Sequence, residues 1–433
     1  TTKGGPEARA HLDEAVAVRR RLATLLGYPS WQALRVENLA APSAEWIAGF
    51  VADMEARLAP YLATEIEAMR QALLAEPGAP ADLAFQDWDW RYADAKQRAA
   101  IGADPSALDP YLEFEGAWAG LTGLSEAVFG VRLVAHPERT GWHPDVRAYD
   151  MVDSRSGDLL CRLFVDPFVR HGKAGGAFAD VLDPGDRAGR SGPARVATLA
   201  LVLNSPLPAD GDSLLSLYQA SVMFHEYGHV LDFGLSTSTF TVHRQEWLPM
   251  DWIEGPSGFL ERWSSQPAVV ARYARHHRTG EPIPASLLEP LAKAEAKNTG
   301  LRTSRHLSMG WLDALLHGEE PIAIEAADRR SWVARGTPYV EGVSFPSTLV
   351  HLLAGYDAAI FGWVWVQALR DDLLSRFERE GMTSPQVGLA YRRSMLERSW
   401  LTDPLDGYAQ FMGRSWSIDA LLDRVARGAA PDT

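Results

Sequence analysis

The chain has 433 residues, of which 46% are hydrophobic and 23% charged, and its formal net charge is −14. A chain of this length and composition is predicted to fold into two or three packed units rather than to stay disordered. The acidic balance argues against nucleic acid as a partner, because a phosphate backbone requires a basic surface. The one cysteine, Cys161, excludes an intrachain disulfide and a zinc site built from cysteines.

Two features bear on where the protein acts. The N-terminal residues contain no apolar stretch typical of a signal peptide, and with the single cysteine this favours the cytoplasm. The chain does not begin with methionine, so an upstream segment is possible. The longest apolar region, residues 349–369, contains His351, Asp357 and Gln367. Those polar residues predict a buried helix rather than a membrane span.

The first 130 residues are predicted to be mainly helical. Residues 9–26 carry apolar side chains at helical spacing, and the pattern ends at Gly27-Tyr-Pro. A second helix is predicted from Ser43 towards Leu74, followed by a loop at residues 76–80. Residues 88–92 and 112–129 return to the helical pattern. We expect these segments to form a helical lobe over residues 1–130.

The pattern changes to short strands between residues 131 and 204. Strands are predicted at 131–134, 146–152, 159–165 and 196–203, where β-branched or alternating apolar residues are separated by turn residues. Residues 172–192 are rich in glycine and aspartate, which predicts a loop. Residues 214–433 are again helical in pattern. The chain is therefore predicted to be mainly α, with one small sheet (131–204) before the helices of a second region, 131–433.

The helix that follows the sheet contains His225-Glu226-Tyr-Gly-His229. Two histidines four residues apart lie on one face of a helix, so both imidazoles can reach one ion. Glu226 lies about 100° round the helix from His225, where it can contact a water without binding the ion itself. Two nitrogen ligands, an open position and a neighbouring base are what a zinc hydrolase requires. The alternative is a core helix with two hydrogen-bonded histidines.

A third ligand would distinguish a zinc site from a core helix. Leu235 stands where a histidine would complete an all-histidine site, so a carboxylate downstream is required. Asp251, Glu254 and Glu261 are candidates, and large apolar residues lie between them. Some of these carboxylates are therefore expected to point inward, where they need a cation or a hydrogen bond. Spacing alone leaves the choice among them open.

Further motifs through most of the chain resemble the thimet oligopeptidase and oligoendopeptidase F family of zinc peptidases, which are gluzincins. The resemblance rests on the HExxH with glycine before its second histidine and on blocks found in the same order as in the family. These blocks are Leu25-Leu-Gly-Tyr28, Trp88-Asp-Trp-Arg-Tyr92, Trp142-His-Pro-Asp-Val146, Arg170-His-Gly-Lys173, Asp251-x-x-Glu-x-Pro-Ser-x-x-x-Glu-x-Trp263, His351-x-x-x-Gly-Tyr356-Asp-Ala and Phe411-x-Gly-Arg414 with Asp419-Ala-Leu-Leu422. The family resemblance implies a helical zincin with two lobes around a substrate channel.

The resemblance also implies roles for individual residues. Glu254 would be the third ligand of one zinc ion, and Glu226 would be the general base. Asp251 and Glu261 would orient the ligands. The remaining family positions would face the substrate: His351 and Tyr356 at the scissile carbonyl, a strand edge ending near Gly176 and Ala177 along the peptide backbone, and Gly355 and Trp363 beside it. Without the resemblance, His351 and Tyr356 would be interpreted as core residues of an apolar helix.

Four departures from the family pattern concern catalysis and substrate size. Ile360 and Trp363 stand where the family usually has tyrosine, Gly258 replaces a glutamine and Gln219 replaces a glutamate. The chain also begins just before Leu25-Leu-Gly-Tyr28 and so lacks the long helical segment that family members carry upstream. A channel open on one side would then admit longer peptides.

These observations predict zinc-dependent hydrolysis of short peptides, with no nucleic acid or membrane as a partner. Two alternatives remain. The first is a peptide-binding protein on a peptidase fold with little turnover. The second is a dedicated processing peptidase with one substrate. An activity assay on mixed short peptides, with and without a chelator, distinguishes the first alternative from an active oligopeptidase.

Overall fold

The computed structural model describes residues 5–189, 192–208, 211–239, 249–399 and 401–430. Most of these residues are helical, and the helices are α1 (Pro6–Leu25), α2 (Trp31–Val36), α3 (Ala44–Leu74), α4 (Trp90–Ala100), α5 (Phe114–Leu124), α6 (Leu217–Leu235), α7 (Gly255–Ser264), α8 (Pro267–Tyr273), α9 (Ala285–Ala296), α10 (Thr299–His317), α11 (Ile324–Trp332), α12 (Gly362–Glu380), α13 (Pro385–Tyr391), α14 (Pro404–Met412) and α15 (Asp419–Ala429). The strands are β1 (Val131–Ala135), β2 (Arg147–Asp153), β3 (Leu159–Phe168), β4 (Phe178–Asp183) and β5 (Ala197–Ser205). The predicted fold class, mainly α with one small sheet, is confirmed.

The five strands form one sheet in the order β1-β2-β3-β5-β4. β3 and β5 are parallel, whereas the other neighbouring pairs are antiparallel. α6 packs against the sheet so closely that a Cβ on Gly234 would lie 2.8 Å from Cys161 Sγ on β3. Strand β4 lies at one edge of the sheet, next to β5. The sheet therefore supports one side of α6 and presents β4 beside it.

The predicted strands at 131–134, 146–152, 159–165 and 196–203 correspond to β1, β2, β3 and β5. The predicted loop over residues 172–192 is wrong in its middle, because it contains β4. Glycine and aspartate on both sides of β4 obscured its short apolar alternation. The expectation that a strand ends near Ala177 is also reversed, since β4 begins at Phe178.

The helix predicted from Ser43 to Leu74 is present as α3, and the Ser43 side chain caps it by accepting the Trp46 N–H. The single buried helix predicted over residues 349–369 is wrong. Only the last part is α-helical, because α12 begins at Gly362, and the first part contains a 3-10 turn at Val350–Leu352. The Asp313 carboxylate accepts the N–H groups of Ala358 and Ile360, at 2.9 and 3.0 Å. These bonds take backbone donors that a helix would use for itself.

The largest hydrophobic cluster joins α3 to the sheet and to helices α6, α7 and α12. The boundary predicted between residues 130 and 131 lies where the helices give way to the sheet, and this cluster includes residues from both sides of it. A second cluster contains Leu12 of α1, Leu312 of α10 and Ile360. Among the described residues, no helix combines the length and the apolar character needed to cross a membrane.

Candidate metal centre

Helix α6 carries the HExxH motif and begins with a capping box. The Ser216 side chain accepts the Gln219 N–H, and the Gln219 side chain accepts the Ser216 N–H. This pair satisfies donors at the helix start that would otherwise lack partners. Gln219, one of the departures from the family pattern, therefore has a structural role here. Further along the helix the imidazole rings of His225 and His229 lie 5.2 Å apart between centroids.

Glycine at position 228 allows α7 to approach the two histidines. A Cβ on Gly228 would lie 2.7 Å from the Ser257 Cα and 3.0 Å from the Pro256 carbonyl oxygen, so a larger residue would push α7 away. Glu254 is the residue that immediately precedes the first turn of α7. The close approach therefore brings Glu254 opposite the histidines.

Three ligand atoms meet at this point. The Glu254 Oε2 lies 3.2 Å from His225 Nε2 and 3.4 Å from His229 Nε2, and the three groups together could hold a metal ion. For zinc bound tetrahedrally at about 2.0–2.1 Å, neighbouring ligand atoms are about 3.3 Å apart. The two separations from Glu254 therefore match those of tetrahedral zinc ligands. Of the carboxylates left open by the sequence, Glu254 is the one in this position.

The electrostatics of the three groups also suit a cation. Burial opposes a charge on His225, but the Glu254 and Glu261 carboxylates outweigh it and raise the pKa of His225 to about 10. Burial acts in the same way against the charge on Glu254, yet the two histidines hold the pKa of Glu254 well below its usual range. Positive charge between these residues is thus strongly favoured, whether it is a proton or a metal ion.

Glu226 is buried close to the three candidate ligands and is not one of them. Its side chain is 7% exposed, and burial raises its pKa although His225 and His229 act in the opposite direction. The backbone N–H of Ala179 on β4 is also close enough to this carboxylate to lower its pKa in part. A raised pKa suits a group that must take up a proton and release it again.

The two carboxylates expected to orient the ligands lie in different places. Glu261 Oε2 accepts from His225 Nδ1 at 2.9 Å, and Glu261 lies about two helical turns beyond Glu254. Asp251 is directed elsewhere: it accepts the N–H groups of Ala40 and Ala41, both at 2.9 Å. The structure therefore does not support a ligand-orienting role for Asp251. Its hydrogen bonds instead connect the segment before α3 to the segment before α7.

His351, Tyr356 and Trp363 form one aromatic group beside Glu254. The Trp363 ring lies 4.8 Å from that of His351 and 5.8 Å from that of Tyr356, and Tyr356 Oη donates to Glu254 Oε1 at 3.3 Å. His351 Nδ1 is buried and has no hydrogen-bond partner among the described residues. Ile360, at the other departure from tyrosine, is fully buried in the second hydrophobic cluster, against which Tyr356 and Trp363 also pack.

The model of Peptidase family M3 matches residues 2–427 of this chain. The chain belongs to Peptidase family M3. The resemblance to thimet oligopeptidase-type enzymes is thus confirmed at the level of the family. Within the family, oligopeptidase A of Escherichia coli (strain K12) is 29% identical over 422 residues, which are 95% of this chain and 61% of that protein.

Two further M3-type relatives match to a similar extent. Dipeptidyl carboxypeptidase of Escherichia coli (strain K12) is 28% identical over 96% of this chain and 61% of its own length. Saccharolysin of Saccharomyces cerevisiae is 27% identical over 97% of this chain and 61% of its own length. This chain therefore spans about three fifths of the length of these relatives.

Solved structures agree with this fold. PZ peptidase A with an inhibitor superposes with a TM-score of 0.59 at 13% identity, covering 98% of this chain and 65% of that one. The M32 carboxypeptidase from Deinococcus radiodurans R1 gives a TM-score of 0.53 at 12% identity, covering 96% and 72%. At these identities the likeness shows a shared fold and no more.

The other residues predicted to bind substrate lie in two places. Gly176 and Ala177 border a cavity of about 210 Å³ next to Tyr218 and Gln219 of α6. Gly355 is exposed, and its carbonyl accepts from the Arg35 guanidinium at 3.0 Å. Gly176 and Ala177 therefore lie just before β4 and near the start of α6. Gly355 directly precedes Tyr356 in the chain.

Sequence reasoning missed two residues that hold this site together. Ser257 Oγ donates to Glu254 Oε2 at 2.8 Å. The block that contains Ser257 supports the family resemblance in the sequence, but no role was predicted for this residue. Asp313 fixes the turn after Tyr356 through the bonds described above. The Pro-Ser dipeptide beside Glu254 was a usable signal for Ser257. Asp313 lies 43 residues before Tyr356 in the chain, and no local pattern connects them.

Proposed function

We propose that this chain hydrolyses peptide bonds in short peptides, using one zinc ion held by His225, His229 and Glu254. The observation that carries the proposal is the agreement between the ligand separations of 3.2 and 3.4 Å and tetrahedral zinc, with the buried Glu226 beside them. When bound, zinc supplies polarisation of the scissile carbonyl and lowers the pKa of a water to about 7.

Proton transfer falls to Glu226. Its carboxylate takes the proton from the attacking water and then gives it to the leaving amine, which becomes the new N-terminus. The burial that raises its pKa makes it a stronger base than an exposed carboxylate. Glu261 holds the His225 ring in one tautomer by accepting from Nδ1, so that Nε2 is free to bind metal.

Negative charge that develops on the carbonyl oxygen requires hydrogen-bond donors. Tyr356 Oη and the His351 ring lie together beside Glu254 and are proposed to donate to that oxygen. The substrate backbone is proposed to lie along the edge of β4, whose Ala179 N–H already reaches Glu226. Addition of an extended peptide to a strand edge gives affinity without requiring a particular side chain.

A single substitution tests the proposal. Glu226→Gln is expected to retain one zinc ion per chain and to lose at least 99% of the wild-type kcat on a mixture of short peptides, a loss of the hundredfold or more that removing a general base produces. Glu289→Gln, on the exposed face of α9, serves as the matched control and is expected to behave like wild type. The proposal fails if zinc-loaded wild type and Glu226→Gln cleave the peptides at the same rate.

We also propose a cytoplasmic location. The one cysteine, Cys161, is buried against Met151, which suits a compartment that does not supply disulfides. Recovery of the native protein in the cytoplasmic fraction of its own cells is expected, and recovery outside that fraction would contradict this.

A further inference from the structure

A cavity lined by arginine lies next to the proposed catalytic site. It has a volume of about 370 Å³ and is bordered by five guanidinium groups, which belong to Arg98, Arg262, Arg302, Arg370 and Arg424. Glu261, which contacts His225, also borders it. Tyr218 of α6 borders both this cavity and the cavity at Gly176 and Ala177. The two cavities are therefore neighbours that meet at Tyr218.

Four of the five arginines already have carboxylate partners. Arg98 and Arg302 are near Asp94, with nitrogen–oxygen distances of 2.7 and 3.9 Å. Arg424 pairs with Asp371 at 2.6 Å. Arg262 lies 3.5 Å from Glu295 and 3.7 Å from Asp371. These four cations and their neighbouring carboxylates stabilise one another.

Arg370 is different. No described residue forms a hydrogen bond with its guanidinium or an ion pair within 4.0 Å, and its Nε is buried without a partner. Gly258 lies beside it, since a Cβ there would be in van der Waals contact with Arg370, 3.9 Å from a terminal nitrogen. A partly buried, unpaired guanidinium is costly unless an anion joins it.

Arg370 lies on the same helix as Trp363, a residue of the aromatic group beside Glu254. Trp363 and Arg370 are seven residues apart on α12, so they share a face and lie about 10 Å apart along the helix. Trp363 contacts His351 and Tyr356 at one end of this face. An extended peptide covers about 3.3 Å per residue, so two or three residues span a similar distance.

We propose that the arginine-lined cavity is a subsite for a carboxylate of the substrate, held by Arg370, two or three residues beyond the scissile bond. The proposal rests on the proposed peptidase function for its substrate. The two ends of a peptide have opposite charges, and a cavity with an unpaired guanidinium favours the carboxylate end and repels the ammonium end. The substrate therefore places its C-terminal side in this cavity. The same chemistry would accept a glutamate or aspartate side chain at that position.

Binding is measured in zinc-loaded Glu226→Gln protein, so that no turnover interferes. Three hexapeptides are compared: one with a free C-terminal acid, the same peptide as a C-terminal amide, and an amide with glutamate as its last residue. We expect the acid to bind roughly tenfold more tightly than the amide, as one charged hydrogen bond predicts. Tight binding of the glutamate amide as well would identify the shared chemistry as any carboxylate, and weak binding would identify the terminal carboxylate.

Substitutions assign the effect to Arg370. Arg370→Gln is expected to remove the difference between acid and amide, and Arg370→Lys to retain part of it. Arg57→Gln, which removes an exposed arginine of α3, is the matched control and is expected to keep the full difference. Zinc content and circular dichroism verify that each variant is folded, and Arg370→Lys carries the test if Arg370→Gln does not fold.

The outcomes separate this proposal from the proposed function. Equal affinity for all three peptides in the parent protein overturns the subsite, even if wild type hydrolyses peptides. A difference that persists in Arg370→Gln overturns the assignment to Arg370. If wild type does not hydrolyse peptides but the acid still binds more tightly through Arg370, the subsite stands and the proposed function fails. In wild type, mass spectrometry of the products is expected to show cleavage two or three residues before the free C-terminus.

Discussion

Two hydroxyl groups contact the Glu254 carboxylate, one at each oxygen. Ser257 Oγ donates to Oε2 and Tyr356 Oη donates to Oε1, at 2.8 and 3.3 Å. Oε2 is also the oxygen that faces both histidines. The shorter bond therefore orients the oxygen that is proposed to bind zinc. The longer bond is weaker, so we expect Tyr356 to release Glu254 and donate to a substrate oxygen instead. The loss of the Tyr356 hydroxyl should then affect kcat, and the loss of the Ser257 hydroxyl should affect zinc affinity.

Tyr356→Phe should reduce kcat much more than it changes KM. Removal of one oxyanion donor costs about 100- to 1000-fold in kcat, and Ile360 cannot replace it because an isoleucine side chain has no hydrogen-bond donor. Steady-state kinetics with zinc analysis measures this, and zinc content should stay at the wild-type level. Tyr92→Phe, an exposed tyrosine bonded to Glu76, is the control. An unchanged kcat in Tyr356→Phe would remove Tyr356 from the mechanism.

Ser257→Ala should weaken zinc binding by about 10- to 100-fold, the usual effect of losing a group that orients a metal ligand. Competition with a chelator of known affinity measures it. The matched control is Ser264→Ala on the same helix, since Ser264 Oγ bonds to the Glu261 carbonyl and not to a ligand. Equal zinc affinities in the two variants would show that Ser257 does not orient Glu254.

At the scale of elements, the segment around Tyr356 is held by helices that are distant in sequence. Asp357 accepts from Trp31 Nε1 of α2 at 2.7 Å and pairs with Arg19 of α1 at 3.1 Å. Arg35 of α2 lies 3.6 Å from the same carboxylate and also donates to the Gly355 carbonyl. Helices α1 and α2 thus fix both residues that flank Tyr356.

Asp357→Asn is expected to lower kcat by roughly tenfold to a hundredfold, because it loosens these contacts and allows Tyr356 to shift by a fraction of an ångström or more. Zinc content should not change, since no metal ligand is touched. The exposed pair of Asp53 with Arg57 provides a control in Asp53→Asn. Should Asp357→Asn retain full kcat, the contacts with α1 and α2 would have no part in positioning Tyr356.

The sequence predicted the local parts of this arrangement better than the distant ones. The histidine spacing in α6 and the Ser43 cap of α3 are local patterns, and both are present. The segment between His351 and α12 belongs to the longest apolar region, which predicts a buried helix, but its backbone N–H groups donate to Asp313 of α10 instead. Asp251 shares its motif with Glu254, yet its partners are Ala40 and Ala41. Such partners are determined by packing between segments that are far apart in the chain.

Across the whole molecule, buried carboxyl groups join the N-terminal helices to the rest of the chain. Asp357 meets α1 and α2, Asp251 meets the segment before α3, and Glu65 of α3 accepts the N–H groups of Gly300 and Leu301 at 3.0 and 2.6 Å. The last pair lies at the start of α10, where unpaired N–H groups and the helix dipole favour a negative charge. Burial works against that charge. Glu65 therefore links the stability of the packed helices to pH.

Burial raises the pKa of Glu65 to about 7, although the bonds from Leu301 and Gly300 lower it in part. In the unfolded chain the pKa is near 4.3. A carboxyl whose pKa is raised by folding stabilises the native state fully below the unfolded pKa, and this contribution is lost as the pH rises through the folded value. The free energy of unfolding of wild type should therefore fall between pH 5 and pH 8, relative to Glu65→Gln, by up to about 3 kcal/mol.

Urea denaturation at pH 5, 6, 7 and 8, with chelator present throughout, measures this difference. Glu67→Gln on the exposed face of α3 is the matched control, because Arg70 and Gln71 lower the pKa of Glu67 to about 2 and it is fully ionised over this range. Its difference from wild type should be the same at every pH. Parallel curves for wild type and Glu65→Gln would mean that Glu65 is ionised in the native protein throughout. The α10 N-terminus would then stabilise its charge more strongly than burial opposes it.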